Sequence, residues 1–330
     1  MAASRKRILY SSKLVKYGTH IVKGVQSCTY GFEFTRTDVN AFGKLSVYDR
    51  LLTSTPTVST ELQLLAGGNS GLIDRDDILA TTTSSARDIL IGLGGEGDSD
   101  YSGAAGKVAS AIKTRGNFVS SASVEASVGA FALLNIGFEG TGMKVEDVSV
   151  GAVPGDAPAR TQEHLKVDFK GYGSSSQGAG SSSSPVALYG VSGVAQSVNM
   201  TVNIARELLE KFEHRYAEER LVQFPTNATL TLEGLDLANK IEYDILAAYS
   251  QNAGGRAMLR NVDFKINEDL ANTSSFENSS KIFNYGLSGA VADSVTFNGG
   301  IGDNHTISMV LTAPVGADDD TIHNFMWHQS

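Results

Sequence analysis

The run Ile91-Gly92-Leu93-Gly94-Gly95-Glu96-Gly97 places Gly92, Gly94 and Gly97 in the G-x-G-x-x-G pattern of a dinucleotide-binding turn. Such a turn works because a helix starts there and points its N-terminus at the pyrophosphate. Here Asp98, Ser99, Asp100, Tyr101 and Ser102 follow, acidic and without a helical apolar stripe, so the pattern reads as a glycine-rich β loop. An oxidoreductase would rest on those three glycines alone. Gly106-Lys107 lacks the glycine five positions earlier and the following Ser/Thr of a Walker loop. Asp98 and Asp100, or Asp318 to Asp320, could offer oxygens to Ca²⁺, but nothing specifies the roughly six to eight oxygens of a calcium turn. The histidines (His20, His164, His214, His305, His323 and His328) include no pair at metal-ligand spacing, and there is no G-x-S-x-G elbow. The single cysteine, Cys28, excludes an intramolecular disulfide, and its place on an apolar face makes it a core thiol. No enzyme, cofactor or metal is expected.

What the chain does contain is one pattern stated twice. Gln26 to Phe34 alternates Cys28, Tyr30, Phe32 and Phe34 with Thr29, Gly31 and Glu33. Gln196 to Ile204, 170 residues later, alternates Val198, Met200, Val202 and Ile204 with Asn199, Thr201 and Asn203. A period of two with one apolar and one polar face is a half-buried strand. The echo continues in order. Val58, Thr60 and Leu62 match Ala228, Leu230 and Leu232, and Pro56 precedes its run as Pro225 does at a spacing of 169. Asp77-Ile78-Leu79-Ala80 returns as Asp244-Ile245-Leu246-Ala247, at 167. Val124 matches Val295, and Ile136 with Phe138 matches Ile307 with Met309, at 171. This is a tandem duplication of a β-rich domain.

The bulk composition agrees. A chain of 330 residues with 41% apolar content suits two domains. Mean hydropathy is -0.09. The 35 glycines, 6 prolines and 19% charged residues fit an all-β chain rich in turns. No run approaches the roughly 20 apolar residues of a membrane span, and no apolar stretch after Arg5, Lys6 and Arg7 makes a signal peptide. Net charge of -9 argues against a protein whose task is gripping nucleic acid. The charge is polarised, however: residues 1–24 carry six basic residues and no acid, and the tail from Ala313 carries Asp318, Asp319 and Asp320 and no base. Those ends are solvated, or they meet when subunits stack head to tail.

The pattern predicts an N-terminal arm and first strand over 1–24 and a first domain over 25–140. A Gly/Ser-rich linker or loop follows over 141–184, and a second domain over 185–330. Within the first domain, strands are expected near 25–35, 44–48, 57–65, 87–93, 117–127 and 131–139, with a short helix near 70–80. Ile241, Ile245, Leu246 and Tyr249 repeat that helix in the second copy. Ala205 to Glu213 has strong helix formers, but the repeat favours a β reading near 214–219.

Gly43-Lys44-Leu45-Ser46-Val47-Tyr48-Asp49 followed by Pro56-Thr57-Val58-Ser59-Thr60-Glu61-Leu62 resembles the major tail tube proteins of tailed bacteriophages, although Glu213 stands in the second copy where the first has Gly43. The resemblance implies a mainly β fold, with two tandem tail-tube-type β-sandwich or barrel domains, each with a short flanking α-helix. It implies self-association: homotrimeric, pseudo-hexameric rings stacked head to tail around a lumen that passes the genome. The implied partners are genomic DNA and tape measure protein in the lumen, and tail terminator and distal tail proteins at the ends. The implied location is the virion tail, assembled in the host cytoplasm.

A tube that lets DNA slide should not be lined with Lys and Arg, since each neutralised phosphate tightens binding. Candidate lumen residues are Glu33, Glu61, Gln63, Asn203, Thr231 and Glu233, although alternation separates two faces without saying which is the lumen. Candidate inter-ring contacts are Arg5, Lys6, Arg7, Asp38, Asn40, Asp318, Asp319 and Asp320. Two other readings stand beside this one. One is the inner tube of a contractile tail or injection device. The other is a glycan- or receptor-binding β-sandwich, which favours exposed aromatics, whereas Trp327 is the sole Trp.

Overall fold

Alternation in the sequence becomes alternation in burial. In the computed structural model, the run Thr57–Leu65 buries Val58, Thr60, Leu62 and Leu64 and turns Ser59 and Glu61 outward. Thr226–Leu235 and Thr306–Val315 do the same over their whole lengths. The structure describes residues 13–66, 72, 77–78, 80–82, 86–93, 107–150, 165–171, 195–211, 217, 219–235, 259–267, 282–299, 304–315 and 326–329.

The chain is mainly β and antiparallel. It begins with β1 (Lys13–Tyr17), β2 (His20–Ile21), β3 (Val25–Glu33), β4 (Arg36–Val39), β5 (Asp49–Leu52) and β6 (Thr57–Leu65). Then come β7 (Arg87–Leu93), β8 (Lys107–Ser127), β9 (Leu133–Gly140), β10 (Gly142–Val150) and β11 (Leu165–Gly171). Next are β12 (Ala195–Asn203), β13 (Arg206–Leu209), β14 (Glu219–Val222) and β15 (Thr226–Leu235). The chain closes with β16 (Leu259–Asn267), β17 (Ile282–Asn298), β18 (Thr306–Val315) and β19 (Met326–Gln329).

The ladders repeat. β3 pairs with β6 as β12 pairs with β15, each with an irregularity at the start, Val25/Ser27 and Ala195/Ser197, 170 residues apart. β8 pairs with β9 as β17 pairs with β18, with irregularities at Val119/Ser121 and Ala292/Ser294, 173 apart. β7 on β8 and β16 on β17 repeat the device at Arg87/Ile89 and Arg260/Val262, again 173 apart. Because bulges disturb a ladder at one defined place, these coincidences fix equivalence better than side-chain type does. They place Val124 opposite Phe297 in the repeat, and Ile136 and Phe138 opposite Met309 and Leu311. The sequence matches of Val124 with Val295, and of Ile136 and Phe138 with Ile307 and Met309, are therefore two residues short. A slip of two keeps every side chain on its own face, so alternation cannot detect it.

The long strand β8 serves two sheets. Residues up to Asn117 pair with β7 and β10, and residues from Phe118 pair with β9 and β12. Gly116 stands at the corner with φ of 56°, and a Cβ there would lie 2.7 Å from Thr141 Oγ1. Glycine meets both demands, the left-handed backbone and the close approach. Gly289 follows it at 173, in β17. Leu62, Leu64, Val124, Ile136, Phe138, Val198, Met200, Val202, Leu230, Leu232, Met309 and Leu311 all belong to one buried cluster, so the two halves share a core.

Three expectations are corrected. Residues 44–48, expected as a strand, are a loop between β4 and β5, with Gly43 at φ of 83°. Asp49 then opens β5. The stretch 141–184, expected as linker or loop, begins with β10 and contains β11. Over the described part of Ala205–Glu213 the chain forms strand β13 (Arg206–Leu209), not a helix, and pairs with β14 (Glu219–Val222); of 214–219, expected as β, Glu219 opens β14 and 214–216 and 218 lie outside the described residues. Tertiary pairing overrides the local preference. Of the first expected helix, Asp77 and Ile78 are helical; the rest of 70–80 lies largely outside the described residues, as does 241–249 entirely. No helix among the described residues is long and apolar enough to cross a membrane.

Candidate functional site

Eight strands form one continuous path, β3-β6-β9-β8-β12-β15-β18-β17. The first four and the last four are the same motif, joined where β8 pairs with β12. In that junction Ser127 lies opposite Ser197, Val124 opposite Met200 and Ser121 opposite Asn203. Backbone bonds close it at both ends, Val128 N–H to Gln196 O and Ile204 N–H to Ser120 O, each 2.8 Å. Alternate pairs in an antiparallel ladder exchange these bonds. Ala122, Val124 and Ala126 therefore direct their backbone groups at β12.

The same two edges end the path. Among the described strands, β3 has only β6 as a neighbour, and Ser294–Asn298 of β17 has only β18. The side chains register the difference. Val202 on β12 and Ile204 just after it are 0% and 4% exposed, whereas Phe32 on β3 and Phe34 just after it are 54% and 37% exposed. On β17, Val295 and Phe297 are half-buried, whereas Ala122 and Val124 of β8 are buried. Each open edge carries apolar side chains that the internal junction would cover. Natural sheets seldom leave such an edge without cover or charge.

One face of this path is mostly polar, with Val310 and Leu133 among its apolar members. Ser27, Thr29, Glu61, Gln63, Ser121, Ser123, Asn135, Thr201 and Asn203, from five adjacent strands, line a common concavity of about 400 Å³. Across those five strands the face is concave. The expected lumen residues Glu33, Glu61, Gln63, Asn203, Thr231 and Glu233 all fall on it, at alternate positions of β3, β6, β12 and β15. Glu125 of β8, missed from the sequence, joins them and accepts a hydrogen bond from Asn135 at 3.1 Å. Neither Lys nor Arg occupies this face of the described strands.

No protein-family model and no curated protein matches the chain.

The sheet carries two hairpins of identical register. Arg36 pairs with Leu52 and Val39 with Asp49, as Arg206 pairs with Val222 and Leu209 with Glu219, all 170 apart. Among the described residues, only the second hairpin is seated. Arg206 donates to Val119 O at 3.0 Å, Ile78 O at 2.6 Å, Arg220 O at 3.3 Å and Ala80 O. Burial pulls its guanidinium down to about 10, opposed by the Glu139 carboxylate. Arg220 is 1% exposed; it donates to Gly140 O at 3.0 Å and pairs with Glu139. Both guanidinium groups lie over the Phe118 ring. The hairpin also bridges Glu219 to Thr82, and Arg220 N–H bonds Thr81 O at 2.9 Å. These contacts fasten the second copy onto the first.

Glu210, at the start of the second hairpin's loop, accepts hydrogen bonds from the backbone N–H and the hydroxyl of Thr55. Those bonds hold its carboxyl below the usual carboxylate value. A lowered folded value stabilises above the unfolded one and is lost as pH falls through the folded one. The stability difference between the native protein and Glu210→Ala, followed by urea unfolding from pH 7 to pH 3, is therefore expected to vanish in acid. A difference that persists or grows there would contradict the role of these bonds.

Of the expected inter-ring residues, Asp38 and Asn40 lie on the first hairpin. Asp38 pairs with Arg50 at 2.8 Å, and Asn40 is exposed in the loop. Arg5, Lys6, Arg7, Asp318, Asp319 and Asp320 lie outside the described residues. Asp98, Asp100 and the Gly94–Gly97 part of the glycine pattern do too. Among the described residues, no group of three or more His, Cys, Asp or Glu is placed to hold a metal.

Proposed function

We propose that this chain is the subunit of a hollow tube of the phage tail type, in which three copies close a ring and rings stack into a conduit for DNA. One observation carries the reading: the chain contains a finished junction, β8 on β12, and ends in the two half-junctions needed to make another. Applying the internal register to a second copy sets Glu33 opposite Ser294, Gly31 opposite Thr296 and Thr29 opposite Asn298, with Phe32 against Val295. A heterologous contact of this kind either closes into a ring or runs on without limit.

Three chains of eight strands make a barrel of 24 strands. At about 4.8 Å between strands and about 40° of tilt, its backbone diameter is about 48 Å. After side chains are allowed for, that is wider than a DNA duplex. The concave polar face becomes the lumen, and its glutamates and small hydroxyl residues repel or ignore phosphates. The protein's work is then mechanical, in a virion tail. Tape measure protein and DNA would occupy the lumen, and terminator and distal tail proteins the two ends. The tip of the first hairpin, with Asn40 and the fully exposed Phe42 and Leu45, is placed to meet the next ring. The two tandem copies are the tube domains of this reading.

Electron microscopy and light scattering of the concentrated full chain test it. Rings of three chains, or tubes with a central channel, are expected. A monomer at every concentration would overturn the proposal.

A further inference from the structure

The first hairpin, β4–β5, has the strand register of β13–β14 and none of its seat. Arg36 stands where Arg206 stands and Arg50 where Arg220 stands, each 170 residues earlier. Yet Arg36 is exposed over the Phe34 ring, and the Arg50 side chain is 65% exposed. Two arginines with no buried task are carried at the base of an extended arm.

The seat of β13–β14 also has a counterpart. Its part on β8 and β9 is built from Val119, Glu139 and Gly140, beside the Ile78–Thr82 contacts, and the 173-residue ladder equivalence turns these three into Ala292, Thr312 and Ala313. Thr312 supplies no carboxylate where Glu139 has one. The charge returns from the neighbouring strand. Asp293, at the bulge of β17, is exposed and accepts a hydrogen bond from the Thr312 hydroxyl. Its carboxylate thus lies over the residue that replaces Glu139. In the internal copy that bulge position is Ser120. The acid has moved by one strand and kept its place.

We propose that β4–β5 docks on the β17–β18 end of a second copy of this chain, with Arg36 donating to the Ala292 carbonyl and Arg50 lying between its own Asp38 and the partner's Asp293. This rests on the ring reading and deepens it: sheet edges supply the ladder, and the arm supplies specificity. Opposite charges placed across a contact steer the encounter and penalise wrong registers. The hairpin base thereby works within a ring, while its tip projects beyond.

The test uses the full chain. Arg50→Glu and Asp293→Lys are each expected to reduce the assembled fraction at limiting concentration by about tenfold or more, and the combined swap to restore it. Asp293→Lys leaves the hairpin untouched, and circular dichroism checks that each variant folds. In a Cys28→Ser background, Arg50→Cys with Asp293→Cys should oxidise to disulfide-linked chains. Rings that form normally with either charge reversed, or that yield no inter-chain disulfide, overturn the docking and leave the ring reading standing. A native chain that never assembles removes the ring reading and this inference with it.

Discussion

On the ring reading proposed above, replacing Val295 by proline is expected to leave a folded monomer that does not close into rings. By equivalence with Ala122, the Val295 N–H points away from β18 and toward the open edge. Proline removes that donor and puts its ring in the path of an incoming strand, while the β17–β18 ladder stays intact. Losing one hydrogen bond and the close approach costs about 2 kcal/mol per junction. Over three junctions in a ring the loss is about 6 kcal/mol, or at least a ~10⁴-fold weakening of closure. Thr296→Pro is the contrasting variant, because the Thr296 N–H faces β18 and its loss destabilises the chain itself. Sedimentation velocity and urea unfolding, run together on both, separate the two effects. Rings formed by Val295→Pro at the native concentration would show that β17 is not the closing edge.

Arg206→Ala should have the largest effect on the stability of the single chain. Four carbonyl oxygens, those of Val119, Ile78, Ala80 and Arg220, accept from one guanidinium in a mostly buried site. Truncation leaves them without that donor and opens space beside Phe118. Each unsatisfied buried group costs about 1–3 kcal/mol, so a total loss of at least ~3 kcal/mol is expected after partial rehydration. Lysine should recover little, because a single ammonium cannot spread its donors over four carbonyls as a planar fork does. Equilibrium urea unfolding measures the loss, and proteolysis within 210–218 should accelerate as the hairpin detaches. The matched change Arg36→Ala is expected to leave monomer stability within about 0.5 kcal/mol, since that residue is exposed in the isolated chain. An Arg206→Ala protein as stable as the native one would mean that the hairpin is held by its strands alone.

How much was legible depended on the range of the interaction. β6 and β7 were readable to the residue because each packs one face on a core, and alternation at a half-buried strand is a local property. The short strands β4, β5, β13 and β14 were not. Leu208, Leu209 and Phe212 also fit a helical face, and nothing within the segment says that Arg206 finds three of its four carbonyl partners about 90 to 130 residues back in the chain. β11 was hidden for another reason. Val167 and Phe169 alternate with Lys166, Asp168 and Lys170, but the signal is short and lies between glycine-, serine- and proline-rich stretches. The six candidate lumen residues share one strand face, because parity along each strand is enough to group them. Glu125 shares their parity and could have been found by the same argument.

The amino-acid sequence by itself determined that the chain is built of antiparallel-type half-buried strands, that its pattern occurs twice, and that one face collects acids and hydroxyls without bases. Those are properties of near neighbours and of spacing. Tertiary structure decided that β8 pairs with β12, that the polar face is concave across β3, β6, β9, β8 and β12, that the equivalence runs at 173 rather than 171 in the later strands, and that one hairpin is seated while, among the described residues, its twin stands free. Each of these depends on which distant backbone satisfies a strand's hydrogen bonds and on how twist accumulates across neighbours, and neither is encoded in the period of a single strand.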